Sequence, residues 1–174
     1  VGRCGECQAW GSVTEVGAVT ARTTAASAVD RPAIPIGEVD VRRAVARPTG
    51  VPEFDRVLGG GIVPGAVVLV AGEPGIGKST LLLDVAARAA RSGDHGDRKV
   101  LYVSGEESSA QVRTRAERIE AMARSRYLAS ETDLATVLGQ IDALQPELVI
   151  VDSVQTISSA EVEGSAGNVS QVRE

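Results

Sequence analysis

The sequence is short of aromatic residues, with one Trp, two Tyr and one Phe among 174 positions. Any core must therefore rest on Val, Leu, Ile and Ala. The hydrophobic share of 43% is enough to pack such a core and argues against a wholly disordered chain. No apolar run approaches the roughly 18 residues that would cross a bilayer. The N-terminus also lacks the charged-then-apolar order of a signal peptide. Together these absences lead us to expect a soluble, cytoplasmic protein without a membrane partner. Positive charge is not in excess: the net charge is −5, against a globally basic nucleic-acid binder but silent on local surfaces. The arginines of residues 88–126 are interleaved with acids and read as a solvated, mixed-charge helix surface. There are only two cysteines, Cys4 and Cys7, and one histidine, His95.

A chain of this length allows one ordinary domain and an appendage. It begins with Val1 rather than Met, and residues 167–174 look like the opening of an uncompleted helix, so we read a piece cut at both ends. Residues 1–11 set Cys4, Cys7 and Trp10 between glycines. Residues 12–48 hold Pro32, Pro35 and Pro48 with no sustained period of 3.6 or 2.0, which predicts a linker with at most a short strand. From residue 49 to 174 strands and helices alternate.

Residues 67–71 are a continuous run of branched and small apolar residues, predicting a strand buried on both faces of a parallel sheet. Leu81, Leu82, Val85, Ala86 and Ala89 then recur at helical spacing, with Gly93 past the end. Residues 100–103 predict a second strand. Ser108 or Ser109 can cap a helix that carries Val112, Ala116 and Ile119. Residues 127–129 suggest a weaker strand. Leu134, Val137, Leu138, Ile141 and Leu144 form an amphipathic helix that must stop before Pro146. Residues 148–151 predict a further buried strand ending at Asp152. The alternation implies an α/β fold with a mostly parallel sheet.

Between the first strand and first helix of this alternation lies Gly72-Glu73-Pro74-Gly75-Ile76-Gly77-Lys78-Ser79, followed by Thr80. Each residue type has a chemical reason. The glycines let the backbone turn sharply and bring its N–H groups near phosphate oxygens. Those groups stand at a helix N-terminus, whose dipole favours an anion. Lys78 offers a mobile cation to the β- and γ-phosphates, and the Ser79 hydroxyl is a ligand for Mg²⁺. A Gly-rich turn with an exposed lysine is the bland alternative, and the strand–loop–helix context argues against it. ATP with Mg²⁺ is the expected ligand.

Asp152 ends an apolar strand, at the sheet edge where ligands of α/β folds bind, and suits the carboxylate that holds Mg²⁺ or its water. Capping the next turn is its plainer role. Glu106 and Glu107 follow the strand at 100–103 and reach the same edge. A carboxylate there can orient or deprotonate an attacking water. Adjacent acids before a helix can also simply complement its dipole. Glu106 is the first choice for catalysis and Glu107 the second.

These motifs carry a resemblance. The segment 49–65, with its Leu58-Gly59-Gly60-Gly61 lead-in, resembles the approach to the phosphate loop in RecA-like ATPases. Together with Cys4-Gly5-Glu6-Cys7-Gln8-Ala9-Trp10-Gly11, Ser104-Gly105-Glu106-Glu107-Ser108 and Val151-Asp152-Ser153-Val154-Gln155-Thr156, it is similar to the bacterial RadA (Sms) family. The tail at 163–174 adds to the likeness. The resemblance implies a ring-forming, DNA-stimulated ATPase that acts as a helicase in recombinational DNA repair and promotes branch migration. It implies single-stranded or branched DNA and the RecA recombinase as partners, and a homo-hexameric ring. It sets Glu106 at the catalytic glutamate and puts a DNA-facing loop at 155–170, with Gln155, Thr156, Gly164, Gly167 and Asn168 as candidates.

The departures are equally informative. The family has a four-cysteine zinc ribbon, and tetrahedral structural zinc wants four ligands. Here Cys4 and Cys7 are one Cys-x-x-Cys pair, which makes residues 1–11 half of a ribbon; Zn²⁺ is expected in the intact protein only. A redox pair and a disulfide are the alternatives. The family's later strands, its Lys-Asn-Arg-Phe-Gly segment and its Lon-protease-like domain are absent from the sequence. No residue can be assigned as a cation completing a neighbour's site, so we expect the fragment to hydrolyse ATP weakly or not at all. Two other functions compete: a nucleotide-gated regulatory ATPase of the KaiC type, and a small-molecule kinase. The cysteine pair and Trp10 argue against the first, and the Gly59-Gly60-Gly61 lead-in against the second.

Overall fold

Two runs of branched residues, 100–104 and 148–152, become neighbouring parallel strands and set the frame. The computed structural model describes residues 2–13, 32–91, 98–162 and 166–168. Strand β3 (Val100–Ser104) lies between β4 (Arg126–Ser130) and β5 (Leu148–Asp152), all parallel, giving the order β4-β3-β5; two short strands nearer the N-terminus, β1 (Gly2–Arg3) and β2 (Trp10–Val13), pair separately. The register pairs Val100 with Arg126 and Leu148, and Ser104 with Ser130 and Asp152. All five residues of β3 are buried, as a strand flanked on both edges and covered on both faces requires.

Strand pleating sorts the side chains by parity. Val100, Tyr102 and Ile150 join one cluster with Leu83, Val85, Ala86, Ala89 and Ala90 of α2 (Lys78–Arg91) and Val112 of α3 (Ser109–Arg118). Leu101, Val103 and Ala129 join the other, with Val137 of α4 (Leu134–Leu144). Helices thus cover both faces, the arrangement expected when parallel strands need crossovers. Of the aromatics only Tyr102 is fully buried, and the two clusters are otherwise aliphatic.

The helix ends follow their sequence signals. Ser108, not Ser109, caps α3, in a capping box completed by Gln111. Asp133 caps α4 by accepting from the Thr136 N–H, and Gln145 ends it in the left-handed conformation just before Pro146. The arginine-rich surface forms local ion pairs, Arg88–Asp84 at 2.8 Å and Arg113–Glu117 at 2.9 Å.

One expected strand is absent. Residues 67–71 join no sheet, and Val67 and Leu69 are 97% and 80% exposed. Apolar composition favours an extended chain, but a strand exists only where a neighbour completes its ladder, and no described strand does so.

The chain divides into two compact units, residues 1–39 and 40–174. In the first, β1 and β2 form an antiparallel hairpin, and residues Ile36–Glu38 make a 3₁₀ turn. In the second, the segment before residue 49 is tied down: Arg47 and Ile62 exchange both backbone hydrogen bonds at 2.9 Å. Asp55 of α1 (Pro52–Val57) accepts from the Thr49 N–H and hydroxyl at 2.8 and 2.7 Å and from the Gly50 N–H at 3.1 Å. Val51 and Phe54 then pack on the α2 cluster, which explains why α2 is buried on more than one stripe. Among the described residues, no helix is long and apolar enough to cross a membrane. Gly93, His95 and the tail 169–174 lie outside the described residues.

Candidate functional site

The phosphate-loop sequence lies at the start of α2, which begins at Lys78. Gly75 and Gly77 hold φ of 79° and 101°, values that side chains beyond Gly seldom adopt, so the turn needs glycine at both. The Leu81 N–H donates to Gly77 O at 2.9 Å, so helical bonding starts inside the loop. The first N–H groups of a helix have no partner within it and are available to an anion. Glu73, Pro74, Gly75 and Ile76 are exposed, as is Thr80, while Lys78 and Ser79 are half-buried. Lys78 Nζ donates to Gly72 O at 2.9 Å and Glu73 O at 2.8 Å. The ammonium is thus folded over its own loop, where phosphate oxygens would compete with the two carbonyls.

The helix also fixes where the loop stands against the sheet. At the far end of α2, Ala90 O accepts from the Arg98 N–H, two residues before β3 begins. Arg91 donates there to the carbonyls of Glu120 and Met122, close to the start of β4. The last turn of α2 is therefore at the amino edge of the sheet. Its 14 residues span about 20 Å, against about 16 Å for a five-residue strand. Packed against β3 and β5, the helix is long enough for its first turn to reach back toward the carboxyl edge.

Asp152 is at that edge, and its parity is that of Leu148 and Ile150. Its side chain therefore shares the face that α2 covers. One carboxylate oxygen, Oδ2, accepts from the Tyr102 phenol at 2.6 Å. The other has no hydrogen-bond partner among the described residues, and neither has the Ser79 hydroxyl. Burial, then the bond to the Asp152 carboxylate, pushes Tyr102 well above the ordinary phenol range, so it remains a donor. The peptide from Asp152 to Ser153 is cis.

The two glutamates after β3 have separate surroundings. Glu106 Oε1 accepts from the Ser153 hydroxyl at 3.1 Å, which draws it beside the residue that follows Asp152. Glu107 forms an ion pair with Arg115 of α3. The Glu107 carbonyl is held as well, accepting from Ser104 Oγ at 3.0 Å and Ser130 Oγ at 3.1 Å. So Glu106 is oriented across the carboxyl edge, and Glu107 is built into the framework between β3, β4 and α3.

The segment after Asp152 crosses the same edge. Residues Val154–Thr156 form a 3₁₀ turn, and the chain then meets the end of β4, with the Ser158 N–H donating to Thr132 O at 2.8 Å. Gln155 is exposed. Thr156 is half-buried: its hydroxyl donates to Ser153 O at 2.7 Å and its side chain occupies the space a Cβ on Gly105 would need. The two sides of this close contact explain why the strand–glutamate turn carries glycine. Gly167 and Asn168 are exposed, with Gly167 at φ 83°; Gly164 lies outside the described residues.

In the N-terminal unit, Cys4 and Cys7 stand in a tight turn closed by Cys4 N–H to Ala9 O at 3.1 Å and Gln8 N–H to Cys4 O at 3.0 Å. Both are free thiols. The N–H groups of Cys7 and Glu6 lower the Cys4 thiol below its ordinary range, with the Cys7 thiol adding to this. No group of three or more metal-ligating side chains occurs among the described residues.

Two members of the site escaped sequence reasoning. The Ser153 hydroxyl gave no signal. Tyr102 gave one in retrospect: a phenol inside an aliphatic strand must find a partner.

The chain is 54% identical over 99% of its length to the DNA repair protein RadA of Mycobacterium tuberculosis strain H37Rv, of which it covers 36%. It is 50% identical over 99% to DNA repair protein RadA of Mycolicibacterium smegmatis, covering 38%. To DNA repair protein RadA of Streptococcus pyogenes serotype M1 it is 43% identical over its full length, again covering 38%. The chain thus spans little more than a third of the curated relatives it matches, and the resemblance to the RadA family read from its motifs holds along nearly all of it. The AAA domain family matches residues 31–172, the span that holds the glycine loop, both glutamates and Asp152. With that match over most of its length and a parallel α/β sheet beneath it, the chain belongs to the AAA domain family.

Proposed function

We propose that this chain is the nucleotide-binding part of a DNA-dependent ATPase of recombinational DNA repair, a helicase that promotes branch migration. The observation that supports the reading is Asp152 and Glu106 together on the carboxyl edge of the sheet, on whose Asp152 face the helix that follows the glycine loop packs. Kinship to proteins named for DNA repair supplies the biological setting.

In this reading the loop N–H groups of residues 72–79 hold the ATP phosphates, and Lys78 exchanges its bonds to Gly72 O and Glu73 O for phosphate oxygens. The free Asp152 oxygen and the Ser79 hydroxyl would hold Mg²⁺, which when bound offsets phosphate charge. Glu106, kept in place by Ser153, takes the proton of the attacking water or orients it. Glu107 supports the edge through Arg115. Thr80 continues the helix behind the loop.

The remaining assignments rest on kinship. DNA, single-stranded or branched, would meet the segment that includes Gln155, Gly164, Gly167 and Asn168, with Thr156 anchoring its start against Gly105. A hexameric ring would bring a cation from the neighbouring copy, and RecA would be the recombinase partner. Cys4 and Cys7 suit two corners of a zinc site: their turn aims N–H groups at a thiol inclined to ionise, as a thiolate ligand requires. Two further ligands are needed beyond the described residues.

The test is ATP hydrolysis by the full-length protein with and without single-stranded DNA, using Lys78→Ala as the blank. DNA stimulation that vanishes in the blank supports the motor reading. Turnover indifferent to DNA would replace it with nucleotide-gated regulation.

A further inference from the structure

We propose that Tyr102 is the positioning residue of the metal carboxylate: its phenol pins one oxygen of Asp152 and leaves the other to a divalent cation. This rests on the reading of Asp152 as a Mg²⁺ ligand and adds a residue to it.

The argument begins with packing. Tyr102 is only 2% exposed, in the middle of the central strand, among Val100, Ile150, Leu83 and Val112. A phenylalanine would fill that cluster equally well. The hydroxyl adds nothing to packing and would cost free energy if buried without a partner. Its partner is Asp152, reached diagonally, since the register sets Tyr102 opposite Ile150 and pleating returns residue 152 to the same face. The 2.6 Å separation is that of a hydroxyl bonded to an ionised carboxylate.

Geometry then gives the hydrogen bond a purpose. Asp152 ends its strand, where the backbone no longer restrains the side chain on both sides. A carboxylate free to rotate would present either oxygen in many directions. Anchoring Oδ2 to a ring locked in the core removes that freedom. Supporting bonds of this kind typically alter metal affinity by about 10- to 100-fold when removed.

The experiment titrates Mg²⁺ against a fluorescent ATP analogue bound to the full chain, parent and Tyr102→Phe. The midpoint should rise about 10-fold in the variant, while analogue affinity in EDTA stays at the parent value. In an Asp152→Asn background the same substitution should change the midpoint no further, as two members of one interaction behave. An unchanged or lower midpoint overturns the proposal, as does a full effect without the Asp152 carboxylate. A second readout needs no substitution. The chain has two tyrosines, so 3-fluorotyrosine labelling gives two resonances, and that of Tyr102 should move on adding Mg²⁺ with ATP. A stationary Tyr102 resonance in a chain that binds Mg-ATP also overturns it. If instead Lys78→Ala binds the analogue like the parent, it is the phosphate-loop reading that fails.

Discussion

Lys78 donates two hydrogen bonds close to home, to the Gly72 and Glu73 carbonyls of its own loop, and this sets what its loss should do. Lys78→Ala removes a charged hydrogen-bond donor from the phosphates, and we expect Mg-ATP affinity to fall by about 100-fold, or about 3 kcal/mol. Equilibrium binding of labelled nucleotide measures it. The glutamates should separate. Glu106→Gln should slow single-turnover hydrolysis by about 100-fold or more, the usual share of a general base. Glu107→Gln breaks the pair with Arg115, whose partly exposed geometry limits the stability loss to about 1 kcal/mol, with turnover little changed. Equal small losses in both would remove each from catalysis. The loop residues were legible in the sequence because their spacing is itself the chemistry. Glu106 and Glu107 were not separable there, because their difference lies in Ser153 and Arg115, contacts 47 and 8 residues away.

Helices and strands carry predictions of their own. Ser108→Ala opens the capping box of α3 and should cost about 1 kcal/mol in urea unfolding. Gly105→Ala sets a methyl group into the Thr156 side chain, nearest its hydroxyl, and should destabilise the domain; removing that hydroxyl with Thr156→Ala should recover part of the loss. Asp55 ties the lead-in to α1, and its acidity follows from two opposed effects. Burial raises its carboxyl, but the bonds from Thr49 and Gly50 outweigh that and leave it lowered. A carboxyl lowered on folding stabilises above its unfolded value, about 3.9, and the contribution fades as pH falls through the folded one. Thermal unfolding should therefore show parent and Asp55→Asn separated near neutrality and converging in acid. Helices α2, α3 and α4 and the three parallel strands could be read from periodicity and apolar runs, whereas the short α1 could not. Residues 67–71 could not, because local composition makes a chain extended and only a neighbouring strand makes it part of a sheet.

Considered over its full length, the chain combines an AAA domain, a cysteine turn and a span of little more than a third of its RadA relatives. Fold class was recoverable from the sequence because alternation of period-3.6 and apolar segments permits few arrangements besides a parallel α/β sheet. The placing of Asp152 on the sheet face that α2 covers was recoverable only in outline. It depends on parity along β5 and on where α2 ends, and both are properties of the assembled sheet. The central claim is that the loop and Asp152 form one Mg-nucleotide site. Calorimetric titration of ATP into the full chain, with Mg²⁺ and with EDTA, tests it most directly when repeated on Lys78→Ala and Asp152→Asn. The account expects tight binding with Mg²⁺ in the parent, loss in Lys78→Ala under both conditions, and loss of only the Mg²⁺-dependent gain in Asp152→Asn. Parent-like binding by Lys78→Ala, or an undiminished Mg²⁺ gain in Asp152→Asn, would contradict it.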